Sequence, residues 1–530
     1  MNEFNELYKP TANEPTFHPL VRNSFAFVPS AGMRLAPEIL ILELFREVFF
    51  PFHYGDPARI TKDLAPDELD EEGSPRYSEG ERAVLYALKG RRKKTKNSLT
   101  QPFFAPAYPA LARGAWFSKN RERVIRNFLL SGPIAQHLWH RGSGVEEKQR
   151  ERDDLIDLLL GALVGNKSCS DQNMAGKEIL SVALRSTGYQ VNSVEARRKL
   201  ESASMPDDLD DKIIRIDQDE LATRIFRDLR FICQLENDLP RLQWMQVLMT
   251  FLRFSLPMWL LAQMQITSLL HSWLIMAADN GQILDSPEIV RKIAARNIGL
   301  LHPTLMPTRE VFEKIEQYMK HRVEVNIFLR CLEKVRPSHV ENKKLRIYEA
   351  GSNTLSIEGL LVISRDASLD LRALGRFREV ADGLDIRRFL TREGELFPGW
   401  RDPLLKGQGK NIDEFLRVLY RAALGDEAGG YLLIPEGRGA SRGFRVFPGQ
   451  LLLKTVTYLA AQDLRTFRGG KLVLSDIENH FQQYGIDFSI AADARPLFMQ
   501  ELQAIGLLTG SPDAGSSVAV ACPYPINYQG

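Results

Sequence analysis

Four short stretches carry residue types whose spacing could do chemistry. Gly161 to Ser168 reads GALVGNKS, one position away from the phosphate-cradling pattern GxxxxGK[ST], with Asn166 where the second glycine belongs. That pattern works between a strand and a helix, and DDLIDLLLGALVG reads instead as a helix ending on Gly165. HLWH sets His137 and His140 three residues apart, a spacing that can grip one metal from a helix. Zinc needs three or four ligands, and neither a Cys pair nor a neighbouring carboxylate completes the shell. PDDLDDK (Pro206 to Lys212) has the acidic and Lys residues of a restriction-type nuclease, but without the longer gap and paired strands such sites use. The sequence holds no HExxH pattern and no Cys/His nucleophile pattern. The expectation is a protein without catalytic residues, metal or cofactor.

Two basic stretches are read differently. KGRRKKTK places Lys89, Arg91, Arg92, Lys93, Lys94 and Lys96 within eight residues, just after an acidic loop. RGASRGFR carries Arg438, Arg442 and Arg445 in a Gly-rich segment. Phosphate backbones ask for positive charge without fixed geometry, so such loops are candidate nucleic-acid contacts. A solvated loop balanced by the acidic segment upstream is the competing reading of KGRRKKTK.

The elements that would position a nucleic-acid reader lie at the end of the chain. QLLLKTVTYLAAQDL is an amphipathic helix with Leu452, Val456 and Leu459 on one face, and KLVL is a short strand. SDIE is read as a capping box that opens the next helix, with Ser475 at its N-cap and Glu478 reaching back. That helix carries Ile477, Phe481 and Tyr484, and Gly485 ends it. Asp493 caps a third helix, which buries Phe498, Leu502 and Ile505 and exposes Arg495, Pro496, Met499, Gln500 and Gln503. LLTGSPDAGSSVAVACPYP (Leu507 to Pro525) then reads as a hairpin. Helix, strand, helix, helix, hairpin is the order of a winged helix-turn-helix. Arg495, Gln500 and Gln503 are its candidate base readers, since Arg suits guanine and Gln suits adenine. Yet residues 448–530 carry five basic and seven acidic side chains, a net of −2, and the hairpin has neither Lys nor Arg. Phosphate contacts supply most non-specific affinity, so this module binds DNA weakly on its own.

The rest of the chain is read as helical. Asp219 to Leu235 puts Leu221, Ile225, Leu229 and Ile232 on one stripe. Arg241 to Ala278 is expected to form two helices broken at Pro257. Thr308 to Arg336 is expected to start on a Thr308 cap. Met258 to Ala278 has no formal charge, but its Gln, Ser, Thr and His residues favour a buried central helix over a membrane span. The fold class is therefore mainly α: a large multi-helix body with a C-terminal winged helix-turn-helix domain (α+β). The 530 residues divide into an N-terminal mixed region (1–150), a helical core (151–350), a helical connector with a β-hairpin (351–447) and the terminal module (448–530). A net charge of +2 makes no global case for nucleic acid, four scattered cysteines fit a reducing compartment, and the N-terminus shows no signal peptide, so the expected location is cytoplasmic.

The stretch from QLLLKTVTYLAAQDL through VAVACPY, set behind a large helical body, is similar to the layout of accessory subunits in bacterial anti-phage systems. The resemblance implies a non-catalytic, DNA-associated or scaffolding subunit that works with an ATPase, helicase or nuclease, and it transfers no catalytic residues. Two alternatives stay open: a winged-helix transcription regulator, and an enzyme with a cryptic nuclease or nucleotide-binding site.

Overall fold

The computed structural model describes residues 220–280, 300–304, 306–335, 412–413, 416–421, 429–437, 443–467, 471–488, 494–509 and 517–524, together with 40, 67, 69–79, 82, 158 and 515. These residues are mostly helical. The Asp493 cap expected for the third C-terminal helix lies outside them.

Helix α1 spans Glu220–Gln234. Its predicted stripe of Leu221, Ile225, Leu229 and Ile232 is fully buried. A short 3-10 turn, Leu235–Asn237, redirects the chain into α2, Arg241–Asn280. Trp244 locks this corner: its ring lies in the core and its Nε1 donates to the Ile232 carbonyl at 2.7 Å.

Helix α2 runs unbroken through Pro257, against the expectation of two helices. Proline deprives the Arg253 carbonyl of its helical donor and costs about 3 kcal/mol. Around it Phe251, Leu252, Phe254, Leu256, Met258, Leu261 and Ala262 are buried almost completely. Burying each large side chain contributes roughly 1.5–3 kcal/mol, so packing on all sides outweighs the proline. The same packing accounts for the uncharged run. The helix is long and apolar enough to cross a membrane by length and composition, but most of that window is buried inside the protein.

Arg253 sits near the middle of α2 and is 2% exposed. Its Nε donates to the Val418 carbonyl and its Nη2 to the Tyr420 carbonyl, which pins the 3-10 turn Arg417–Leu419 against α2. Helix α3, Glu310–Val335, packs along α2. Thr308 does not cap α3. It exchanges two backbone hydrogen bonds of 2.9 Å with Phe444, because the adjacent strand edge offers both a donor and an acceptor. That edge belongs to the predicted hairpin, in which β1 (Leu433–Glu436) pairs antiparallel with β2 (Gly443–Val446).

The C-terminal helices are α4 (Gln450–Phe467), α5 (Leu474–Gln483) and α6 (Ala494–Ala504). Segments 472–474 and 507–509 both pair with 518–521, through the bridges Val473 to Ala519 and Leu508 to Val520. Helix α5 begins one residue before the expected capping box. Its N-cap is Val473, whose N–H donates to Asp476 Oδ2 at 3.0 Å. Ser475 thus falls inside the helix, and Glu478 is committed elsewhere. Gly485 closes α5 at φ +87°, where a Cβ would lie 2.5 Å from Leu300 Cδ1, so both conformation and contact demand glycine.

One hydrophobic core joins these helices to the body. Phe254 of α2 reaches Tyr484 (4.7 Å between ring centroids) and Phe481 (6.0 Å, edge to face), and Phe481, Phe488 and Phe498 continue the aromatic chain. Leu301 bridges to Ile486 in parallel, with 3.0 Å bonds from Leu301 N to Gly485 O and from Asp487 N to Leu301 O.

Arg253 provides a test of this packing. Arg253→Met keeps the volume but leaves the Val418 and Tyr420 carbonyls buried without that donor. Urea denaturation should show a loss of about 3 kcal/mol. A loss below roughly 1 kcal/mol would mean the turn is held by other contacts.

Candidate functional site

Each of three helices carries one polar residue on its apolar stripe. In α1, Asp228 falls in the series Leu221, Ile225, Asp228, Ile232. In α4, Asp463 extends the series Leu452, Val456, Leu459. In α5, His480 lies between Ile477 and Tyr484. Residues on one stripe face one core, so the three side chains meet where α1 packs on α4 and α5.

His480 is the centre. Its Nε2 lies 3.0 Å from Asp228 Oδ2 and its Nδ1 lies 3.2 Å from Asp463 Oδ2. The Tyr484 hydroxyl donates to the same Asp228 oxygen at 2.7 Å. Arg224, one turn before Asp228, donates through Nη1 to Asp463 Oδ2 and stands 3.9 Å from Asp228 Oδ1. Arg227 Nη2 lies 3.2 Å from Asp463 Oδ1. Asp228 and the His480 ring are sealed from solvent, whereas Asp463 and Arg227 keep some exposure.

Burial alone would push the Asp228 carboxyl up. The His480 imidazole, the Arg224 guanidinium and the Tyr484 hydrogen bond outweigh that and hold it below the usual carboxylate range. Burial pushes His480 down, and the two guanidiniums add to this against the pull of Asp228. Burial also lifts the Tyr484 phenol well above its ordinary value, so it stays protonated and donates. Burial and the nearby Arg224 charge lower Arg227.

Beside the network lies a cavity of about 170 Å³. Arg224, Arg227, Asp463, Asp476, His480 and Gln483 line it, and exposed Asn479 stands at its rim. The space holds several waters by volume. Tyr484 and Asp228 sit behind it with no exposed surface, so no substrate atom reaches them. The geometry is that of a structural tie between helices. Among the described residues, no group of three or more His, Cys, Asp and Glu side chains is placed to hold a metal ion. His271 and His321 stack at 4.2 Å with nearly parallel rings, an arrangement that joins ring faces rather than nitrogen lone pairs.

Of the residues expected to contact nucleic acid, Arg445, Arg495, Gln500 and Gln503 are among the described residues. Lys89, Arg91, Arg92, Lys93, Lys94, Lys96, Arg438 and Arg442 lie outside the described residues. Arg445 is on β2 and pairs with Glu436 across the hairpin at 2.5 Å. Arg495 pairs with Glu478 of α5 at 2.6 Å, which explains why Glu478 does not cap its own helix. Gln500 and Gln503 are exposed on α6. None of the members of the buried cluster belongs to a recognised motif, so motif patterns do not mark it. The signal was a charged or ionisable residue at a core position in each of three helices.

Compared with protein-family models, curated proteins and solved structures, the chain shows no match. The site is therefore read from its geometry. Tyr484→Phe removes one donor from a buried carboxylate and should cost about 1–2 kcal/mol in chemical denaturation. Asp228→Ala strands His480 and Tyr484 and should cost about 3–5 kcal/mol. Equal losses for the two would show that Asp228 is not the hub.

Proposed function

We propose that this chain is a non-catalytic scaffolding subunit of a bacterial DNA-processing or anti-phage complex, acting in the cytoplasm beside an ATPase, helicase or nuclease. Its C-terminal part is read as a winged helix-turn-helix. The order α4, paired segment, α5, α6, two further paired segments supports that reading.

The observation that carries the proposal is how α5 and α6 are held. Hydrogen bonds through His480 and Tyr484 fix α5 to α1, and Phe254 anchors the aromatic cluster from α2. A module held this firmly presents one fixed surface, as a scaffold requires. On that surface Gln500 and Gln503 are exposed, while Arg495 is already paired with Glu478. The module has a net charge of −2, so α6 orients a partner or a DNA segment that charges elsewhere have captured. The basic stretches Lys89 to Lys96 and Arg438 to Arg442 are the proposed source of that capture, Arg445 being paired with Glu436 on β2.

Electrophoretic shift assays of the full chain with duplex DNA, over a range of salt, test this. Binding should weaken steeply with salt. Replacing Arg91, Arg92, Lys93 and Lys94 by Ala should weaken it across all sequences and flatten the slope of log K against log salt by up to about 4. An unchanged slope and affinity would remove the phosphate-contact role.

A further inference from the structure

The cavity beside the polar tie has walls from three helices. Helix α1 gives Arg224 and Arg227, α4 gives Asp463 and Leu464, and α5 gives Asp476 and Gln483. Its volume is about 170 Å³. One water takes a share of roughly 30 Å³ in the liquid, so the space has room for a small ring. Two buried oxygens on these walls accept no hydrogen bond. Gln483 Oε1 is one. Asp463 Oδ1 is the other: Arg227 Nη2 pairs with it at 3.2 Å, but outside hydrogen-bonding geometry. Buried acceptors without a donor are costly, so both oxygens call for N–H groups.

Arg224 offers the opposite character. It is 9% exposed, and its hydrogen bond and ion pairs all run through Nη1. A guanidinium carries five N–H donors, which leaves others for a carbonyl oxygen. The charges on the walls narrow the choice of ligand. Arg224 and Arg227 balance Asp463 and Asp476, so these four groups are neutral as a set. An anion would meet two carboxylates and a cation would meet two guanidiniums. An uncharged ligand avoids both penalties, and it must carry donor and acceptor together. Leu464 and Ala460 add an apolar strip on which the face of a ring can lie.

We propose that this cavity binds an uncharged lactam ring, in which N–H stands beside C=O, as in uracil and guanine. The ring N–H donates to Gln483 Oε1, the C=O accepts from Arg224, and the exocyclic amino group of guanine adds a bond to Asp463 Oδ1. Asp228 and Tyr484 stay sealed behind the cavity and take no part. The inference rests on the cavity walls alone, so duplex binding by the basic stretches can fail without affecting it.

Saturation-transfer NMR titrations of the full chain with free nucleosides test the site. Uridine and guanosine should bind saturably at millimolar concentration or below. The analogue 3-methyluridine, whose ring N–H is blocked, should bind at least about fivefold more weakly than uridine. Inosine, which lacks the exocyclic amino group, should bind more weakly than guanosine. These comparisons use the unmodified protein and stand even if a variant fails to fold. In Gln483→Met the affinity for uridine should fall about fivefold to tenfold. The proposal is overturned if neither uridine nor guanosine binds saturably, which would leave the cavity to water. It is equally overturned if 3-methyluridine matches uridine, if inosine matches guanosine, or if Gln483→Met leaves uridine binding unchanged.

Discussion

A carboxylate with no exposed surface has to be solvated by protein, and Asp228 is such a group. Water would otherwise supply several kcal/mol of stabilisation to an ionised oxygen. Here His480 of α5 and Tyr484, which follows that helix, supply it directly, with Arg224 of α1 nearby. The consequence is directional. If α5 moves away from α1, Asp228 loses both hydrogen bonds at once, so this contact specifies one register between the two helices. An apolar contact of equal area would tolerate sliding. The aromatic cluster around Phe254 provides the bulk of the packing at the same place, and the polar tie fixes where that packing sits.

The same balance between local cost and tertiary gain runs through the body. Pro257 breaks a backbone hydrogen bond in the middle of α2 and is still carried, because the helix is surrounded. Arg253, one turn earlier, is buried and directs its charge at two backbone carbonyls of the neighbouring turn. In each case a feature that would be costly in an isolated helix is offset by neighbours from distant parts of the sequence.

That explains what the sequence did and did not reveal. The stripes of α1, α4, α5 and α6 were legible, since apolar periodicity is a local property: Leu221, Ile225, Leu452, Val456, Phe481 and Phe498 are all buried as expected. The hairpin around Leu433 and Val446 was legible for the same reason. Pro257 misled because a breaker acts locally and burial does not. Ser475 and Thr308 misled because a cap competes with other partners. Asp476 reaches the N-cap first, and Phe444 takes the Thr308 backbone. The site was the least legible part. Arg224 and Asp463 are 239 positions apart, and only the fold brings them together. The local trace it leaves is that Asp228, Asp463 and His480 each occupy a position on the apolar stripe of their helix.

The central claim is that this polar tie makes the body and the C-terminal helices one cooperative unit. Native-state hydrogen exchange of the full chain at neutral pH tests it most directly. The account predicts that the slowest amides of α1, α2, α4 and α5 open together, with one common free energy that falls together as urea is added. If the α5 and α6 amides open at a clearly lower free energy while α1 and α2 stay protected, the seam does not couple the two parts and the account is wrong.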